Sequence, residues 1–488
     1  MHLTDLPEDL ILEVFLYLEV VNLLIVKQTC RVLHAIGSSD YLWHCVIRHI
    51  GLPLNIPSGV PHITLSHEEL QKIAVKAIRL EANWQKTTPV LKRTHALVRD
   101  TNEPYVDEMQ FLPGGEWLLT AQRNRQPQAR GSSRVVLWSL KDLSDVYRVA
   151  DIEVVGFYRD CTLEYQAREE CVTLAVGFND GMDKIDVYRI PLQNRADFSF
   201  SVPTLLPTRT IPVLFHPRIA DVPPVIHQMA ISHGIVAITV AIPGGECPLQ
   251  VYLTHAKSGM TGWVDPALLE PFSSLWVRLC DDHLLLLGNM RSSLILRIYR
   301  ISRAALFKVQ YSQWSAPQDA ELHRDHIVDL GSIVVESMQP FRQDAEFYDI
   351  ARVSTPSSSY LSVVICYAFH DSSAGVEQVT RFALPFSSEI HGEACTTRFF
   401  ALPPQVSAQL VQVGPTGRAV WLEHNWETQT RRVMRYHPQS GNSVGLLLPS
   451  DPVLPFTPNL CHSLAFDEVT GRVCMGLFNG DVYILDFV

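Results

Sequence analysis

The chain has no Cys-X-X-Cys pair, and the nearest two of its 10 cysteines are Cys161 and Cys171. Zinc sites and disulfide frameworks are therefore not expected, and Cys366 and Cys474, set in apolar strand-like runs, read as small buried hydrophobes. No Asn-X-Ser/Thr sequon occurs, and Asp5 stands where a signal peptide carries positive charge. A cytoplasmic or nuclear setting is expected. No long unbroken apolar run exists: Leu10 to Val26 is interrupted by Glu13, Glu19 and Asn22, and each carboxylate at a bilayer centre costs about 2.5 kcal/mol or more. That excludes a membrane span. Basic residues are the minority, 40 Lys plus Arg against 51 Asp plus Glu for a net charge of −11. The balance argues against general affinity for nucleic acid or an anionic membrane; protein partners are expected.

Catalytic signatures are missing too. His323-Arg324-Asp325 has the order of a kinase catalytic loop, but the downstream Asn, an Asp-Phe-Gly and a Gly-rich loop are absent. Gly414-Pro415-Thr416-Gly417-Arg418 lacks the spacing and the Lys of a phosphate-binding loop and suits a turn between strands. His67-Glu68-Glu69-Leu70 lacks the second His of a zinc-protease helix. No nucleophile with its base can be identified, so no catalytic residue, metal or cofactor is expected.

At 488 residues and 47% hydrophobic, the chain exceeds one ordinary domain and can fill a large core. Its first fifty residues are helical in pattern. Pro7 suits a first helical position, and Glu8 and Asp9 put negative charge beside the positive end of the helix dipole. Leu10, Ile11, Val14, Phe15 and Leu18 form one broad stripe, with Leu12 and Leu16 nearly opposite. A unit this small has one small core, so the second apolar face points to a partner protein. Leu23, Val26, Cys30 and Leu33 predict a second helix. After Gly37-Ser38-Ser39, Leu42, Trp43, Val46 and Ile47 predict a third, stopped by Gly51 and Pro53.

Leu6-Pro7, Glu8-Asp9, Tyr17-Leu18, Leu23-Leu24, Cys30-Arg31 and Leu42-Trp43 follow in the order that marks the F-box, and residues 1–50 resemble that family. They depart from its pattern at Leu33, Thr29 and Asn22. The resemblance implies a Skp-type adaptor as partner, with Leu6, Pro7, Leu10, Leu12, Leu16, Leu23 and Trp43 docking it or shaping the docking surface.

Residues 51–88 read as a linker containing one helix. Ser66 and Glu69 make a capping box, and Leu70, Ile73, Ala74, Ala77, Leu80 and Trp84 form one face of what is expected to be a spacer helix. From about residue 89 the period becomes alternating. One hairpin recurs seven times: Trp117 to Leu140, Cys171 to Ile190, Gly234 to Leu253, His283 to Ile301, Tyr360 to Leu384, Arg418 to Tyr436, and Arg472 to Phe487. Trp138, Tyr188, Tyr252, Tyr299, Phe382, Tyr436 and Tyr483 hold equivalent places, several 47 to 54 residues apart, a period that fits repeated four-stranded units.

The first and last copies, around Phe111 to Trp138 and Asn479 to Asp486, resemble WD repeats. The implied fold is multidomain: a small all-α F-box and linker helix, then over 89–488 an all-β propeller of about seven blades. The last blade would lack an outer strand, and Pro89 to Val98 is expected to supply it, because a closed ring protects its edges. Together the parts resemble substrate receptors of SCF ubiquitin ligases, which implies a cullin and RING scaffold reached through the adaptor and a protein substrate held by the propeller. Arg123, Arg125, Arg130 and Arg134, in or beside the inner loop Gln122 to Ser133, are the substrate-binding candidates, since guanidinium groups pair bidentately with carboxylate or phosphate. Arg291 and Arg431 sit in or near later equivalent loops. A non-degradative scaffold pairing with the adaptor alone is the alternative, and a propeller-borne enzyme would need acid and base groups converging in a central channel.

Overall fold

The computed structural model describes residues 6–56, 60–98, 105–123, 133–192, 206–213, 223–242, 249–259, 261–264, 274–290, 293–301, 321–322, 327–336, 346–354, 359–371, 374–385, 395–401, 405–414, 416–438, 443–448 and 454–488.

Four short helices open the chain: α1 (Glu8–Leu16), α2 (Val20–Lys27), α3 (Arg31–Gly37) and α4 (Asp40–His49). Pro7 precedes α1 as its cap rather than entering it, and its carbonyl accepts from the Leu10 and Ile11 amides at 3.1 and 3.2 Å. The expected second helix is divided into two. Thr29 turns its hydroxyl back to the Val26 carbonyl at 2.7 Å, which ends α2, and Cys30 is extended, so α3 starts afresh. Ser39 caps α4 by accepting from the Leu42 amide at 3.4 Å. Ile11, Phe15, Leu23, Leu33, Leu42, Trp43 and Val46 make the core. Within it the Trp43 indole donates to the Gly37 carbonyl at 2.9 Å, so the buried ring leaves no N–H unpaired.

Helix α5 (His67–Trp84) carries the expected capping box, with Ser66 and Glu69 bonded reciprocally. It belongs to both parts of the chain. Leu70 and Ala74 pack into the helical core, while Leu80 and Trp84 pack into the core of the β body. Among the described residues no helix is long and apolar enough to cross a membrane.

The described strands form seven sheets, six of four strands and one of five, antiparallel except where Glu321–Leu322 joins Thr261–Val264 in parallel. The middle pair of each four-stranded sheet, and the second and third strands of the five-stranded one, is one of the seven hairpins read from the sequence, with partners such as Leu118 and Trp138, Leu174 and Tyr188, or Met475 and Tyr483 in register. Trp138, Tyr188, Tyr252, Tyr299, Tyr436 and Tyr483 are all buried. In the last sheet, Cys461–Asp467, Arg472–Leu477 and Val482–Asp486 gain their fourth strand from Arg93–Val98, which pairs antiparallel from Arg93 opposite Asp486 to Val98 opposite Val482. The predicted strand exchange is present, starting four residues later than Pro89.

Six first strands share a device with no counterpart in the sequence reading. Their register skips just before Glu108, Asp160, Gln228, Asp349, Gln412 and Ser463. A bulge re-aims the side chain that follows it, and Glu108, Asp160, Gln228, Gln412 and Ser463 are all polar. Several reach the next sheet: Asp160 accepts from the Met229 amide at 2.6 Å, Gln228 from the Val277 amide at 3.0 Å, and Ser463 donates to the Val106 carbonyl at 2.7 Å. Glu108 accepts from the Tyr158 hydroxyl at 2.8 Å. Neighbouring sheets are thereby latched first strand to first strand.

Candidate docking surfaces

The helical core needs only part of the apolar surface of α1 and α2. Ile11 and Phe15 are buried, whereas Leu10 is 50% exposed, Val14 43%, Leu16 37% and Tyr17 84%. Val21, Ile25, Val32 and Tyr41 are exposed as well. The broad stripe assigned to one side of α1 therefore divides. Ile11 and Phe15 point inward about 40° apart, and Leu10, Val14 and Tyr17 sit on a neighbouring arc turned to solvent. Of the residues singled out from the sequence, Leu10 and Leu16 are exposed, Pro7 is exposed as the cap, and Leu6 and Leu12 are half-buried. Leu23 and Trp43 have no exposed surface, so neither can touch a partner directly. Val14, Val21 and Ile25, not among the residues singled out for docking, are exposed beside them.

Helix α5 is held to the β body by a buried polar cluster. Glu81, 8% exposed, pairs with the fully buried Arg418, and its other oxygen lies 2.8 Å from His437 Nε2 and accepts from Gln85 at 2.8 Å. Burial works against the Glu81 charge, but the His437 hydrogen bond and the Arg418 charge outweigh it and hold the carboxyl at about 2. Asn83 adds a clamp: its amide donates to the Val90 and Phe487 carbonyls at 2.9 and 2.8 Å and accepts from the Val90 amide at 2.9 Å. Gly471, at φ +70°, lets Leu80 approach so closely that a Cβ there would collide with it. The turn expected at Gly414 to Arg418 is present: the Gly414 amide donates to the Arg418 carbonyl at 2.8 Å, and the Gly414 carbonyl accepts from the Gly417 amide at 2.9 Å. Glu468 braces it by accepting from the Thr416 and Arg418 amides at 2.8 and 3.0 Å. These contacts all involve strand ends and loops on one face of the sheets. The inner loops of the hairpins, such as Asn425 to Thr430 and Leu477 to Val482, lie at the opposite ends of the same strands.

Two of the four candidate arginines are described, and both have internal carboxylates. Arg123 pairs with Glu108 and lies 5.2 Å above the Tyr158 ring. Arg134 grips Asp151 in a fork, with Nε at 2.6 Å from Oδ1. Arg125, Arg130 and Arg291, and the kinase-like His323-Arg324-Asp325, lie outside the described residues. Arg431 is half-buried, and its amide donates to Asn459 at 3.3 Å.

First strands of five sheets line a cavity of about 670 Å³ containing Glu108, Asp160, Cys161, Gln228 and Arg278. Burial, reinforced by the Glu108 charge, pushes the Asp160 carboxyl up to about 7. Both its oxygens are nevertheless taken, by the Met229 amide and by the Cys161 amide at 2.9 Å. Burial likewise raises the Cys161 thiol well above its ordinary value, which leaves it protonated and a poor nucleophile. Among the described residues no group of His, Cys, Asp and Glu is arranged to hold a metal ion.

The F-box-like family matches residues 3–49, the span of α1 to α4. No curated protein matches the chain. The chain thus carries an N-terminal F-box-like region, of a kind that generally binds a Skp-type adaptor, followed by an all-β body of antiparallel sheets.

Proposed function

We propose that the chain is the substrate-recognition subunit of an SCF-type ubiquitin ligase, working in the cytoplasm or nucleus. The observation that carries this reading is the apolar arc of Leu10, Val14 and Tyr17, continued by Val21 and Ile25, left exposed on the segment that matches the F-box-like family. An apolar face that its own core does not use is stabilised by a partner, and a Skp-type adaptor on a cullin and RING scaffold is that partner.

The seven sheets are read as blades of a β-propeller closed by Arg93–Val98, since this strand from the start of the β body pairs with Val482–Asp486 from its end and so ties the first blade to the last. Helix α5 occupies one face of this ring, and the opposite face, where the inner hairpin loops gather, receives the protein to be ubiquitinated. Arg123 and Arg134 border that face. An acidic or phosphorylated segment would displace Glu108 and Asp151 from Arg123 and Arg134 to bind there. The subunit contributes no nucleophile: it raises the local concentration of a substrate lysine beside a charged conjugating enzyme.

Affinity purification of the tagged chain under proteasome inhibition tests the reading. Adaptor, cullin and ubiquitinated clients should co-purify. Adaptor without cullin would favour a non-degradative scaffold, and absence of the adaptor would contradict the proposal.

A further inference from the structure

Large apolar side chains are exposed unevenly on the β body. Val155, Phe157, Met182, Trp426, Leu460 and Phe478 are exposed at the strand ends that carry the inner hairpin loops; among the described residues of the body, Val90, Leu206 and Val444 are the others, and they lie elsewhere. Turn chemistry does not ask for this. The turn from Leu477 to Val482 is set by Asn479, whose side chain accepts from the Asp481 amide at 3.2 Å, and by Gly480 at φ +89°. A polar residue would serve the turn equally well at Phe478. Apolar residues scattered singly over a surface are ordinary, but gathered on one face they mark a contact surface.

At the seam between the first and last sheets this exposure is organised. Tyr105, just before Val106–Phe111, His462 of Cys461–Asp467 and Phe478 bring their rings together, with centroids 4.4 Å apart for Tyr105 and His462, 4.5 Å for His462 and Phe478, and 5.6 Å for Tyr105 and Phe478. Tyr105 and His462 are half-buried and support Phe478, which is 47% exposed. Mutual edge and tilted contacts of this kind fix the rings in place. The Phe478 amide donates to the Leu460 carbonyl at 2.9 Å, which sets the exposed Leu460 beside the cluster. Asp107 joins the cluster to Arg123: one of its oxygens accepts from the Arg123 amide at 2.9 Å, and the other lies 3.5 Å from His462 Nε2. The Arg123 guanidinium is itself paired with Glu108, so this corner offers apolar surface first and an exchangeable ion pair beside it.

We propose that the Tyr105, His462 and Phe478 cluster, with Leu460, seats one large aliphatic or aromatic side chain of a client protein segment, while an acidic residue of the same segment takes the place of Glu108 on Arg123. The inference rests on the reading of the hairpin-loop face as the receptor face, and it adds the apolar half of the recognised motif. Aromatic and aliphatic anchors carry most of the energy of such contacts, so an acidic residue alone is a weak ligand here. Exposed rings also stack nucleic-acid bases, but a net charge of −11 and an Arg123 already matched by Glu108 disfavour a phosphate backbone.

The test is selection of phage-displayed random dodecapeptides on the full chain, followed by fluorescence anisotropy of the enriched peptide, made with a fluorescein label. Enriched peptides should share a large apolar residue close to Asp or Glu. Affinity for the Phe478→Ser/Leu460→Ser variant should fall by about tenfold or more, the loss expected when one large apolar side chain is no longer buried, and replacing that residue of the peptide by Ala should cost the same. The dependence on Phe478 and Leu460 should persist at high salt, which screens charge but not apolar contact. Val444→Ser, at the opposite strand ends, should bind as wild type does. Both substituted residues are exposed, so the melting temperature should be unchanged; should the double variant melt early, Phe478→Ser and Leu460→Ser are measured singly. No enriched peptide, enriched peptides without an apolar residue, equal affinity of the folded variants and wild type, stronger binding of a single-stranded RNA through the same residues, or a dimer of the chain that only the variant dissolves would each overturn the proposal. Adaptor and cullin co-purification by the wild-type chain, measured in parallel, separates the two readings: their absence counts against the receptor role, whereas peptide affinity indifferent to Phe478 and Leu460 counts against this site alone.

Discussion

Glu81 and Arg418 show how much can rest on one pair of side chains. They are 337 residues apart in sequence and almost fully buried together. Removing one partner of a buried pair leaves an uncompensated charge, so Glu81→Gln should cost about 3 kcal/mol or more, read as a lower denaturation midpoint; an unchanged midpoint would show that the pair holds nothing. The pH dependence has a definite sign. Because the folded carboxyl is depressed to about 2 from an ordinary 4.5, its contribution is fully present above pH 4.5 and is lost as pH falls through about 2. Wild type should therefore lose its advantage over Glu81→Gln across that window. Asp160 makes a second residue-scale case. Asp160→Ala strips the acceptor from the Met229 and Cys161 amides and should cost about 1–3 kcal/mol for the buried donors left unpaired, again read by denaturation. Neither residue announced its role in the sequence. A carboxylate on a helix reads as solvent-facing, and Asp160 reads as one polar position in an alternating strand, because in both cases the partner comes from another element.

At the scale of elements, the hairpins were legible and their surroundings were not. Alternating apolar residues and a buried aromatic such as Tyr252 or Tyr299 mark the two middle strands of each sheet, where local pattern and burial agree. The first strands carry bulges before Glu108, Gln228 and Ser463, which break strict alternation and are set by the neighbouring sheet. In the helical region Leu10 and Val14 share an apolar stripe with Ile11 and Phe15 yet face solvent, because a helical stripe does not say where its core ends. The second helix divides where Cys30 turns extended, a local backbone change that apolar spacing does not record. The strand Arg93–Val98 is the element that can be tested most simply. A chain beginning at Val106 should be insoluble or melt well below one beginning at Thr87, since the Val482–Asp486 edge is then unpaired. Equal melting temperatures would show that the exchange is dispensable.

At the scale of the whole molecule, α5 links two units through two cores, with Leu70 and Ala74 in one and Leu80 and Trp84 in the other. A helix anchored at both ends fixes the direction in which the exposed apolar face of α1 and α2 points relative to the loops of the β body, as the proposed receptor role requires. The account divides the helical unit into residues that touch the adaptor and residues that support the face. Leu23→Ala should destabilise the unit by about 2–5 kcal/mol, because it opens a cavity at a fully buried position. The decisive measurement is adaptor co-purification by the Leu10→Asp/Val14→Asp variant, made beside its melting curve. The account predicts that the adaptor is lost while the melting temperature stays at the wild-type value. Full retention of the adaptor by the folded variant would contradict it.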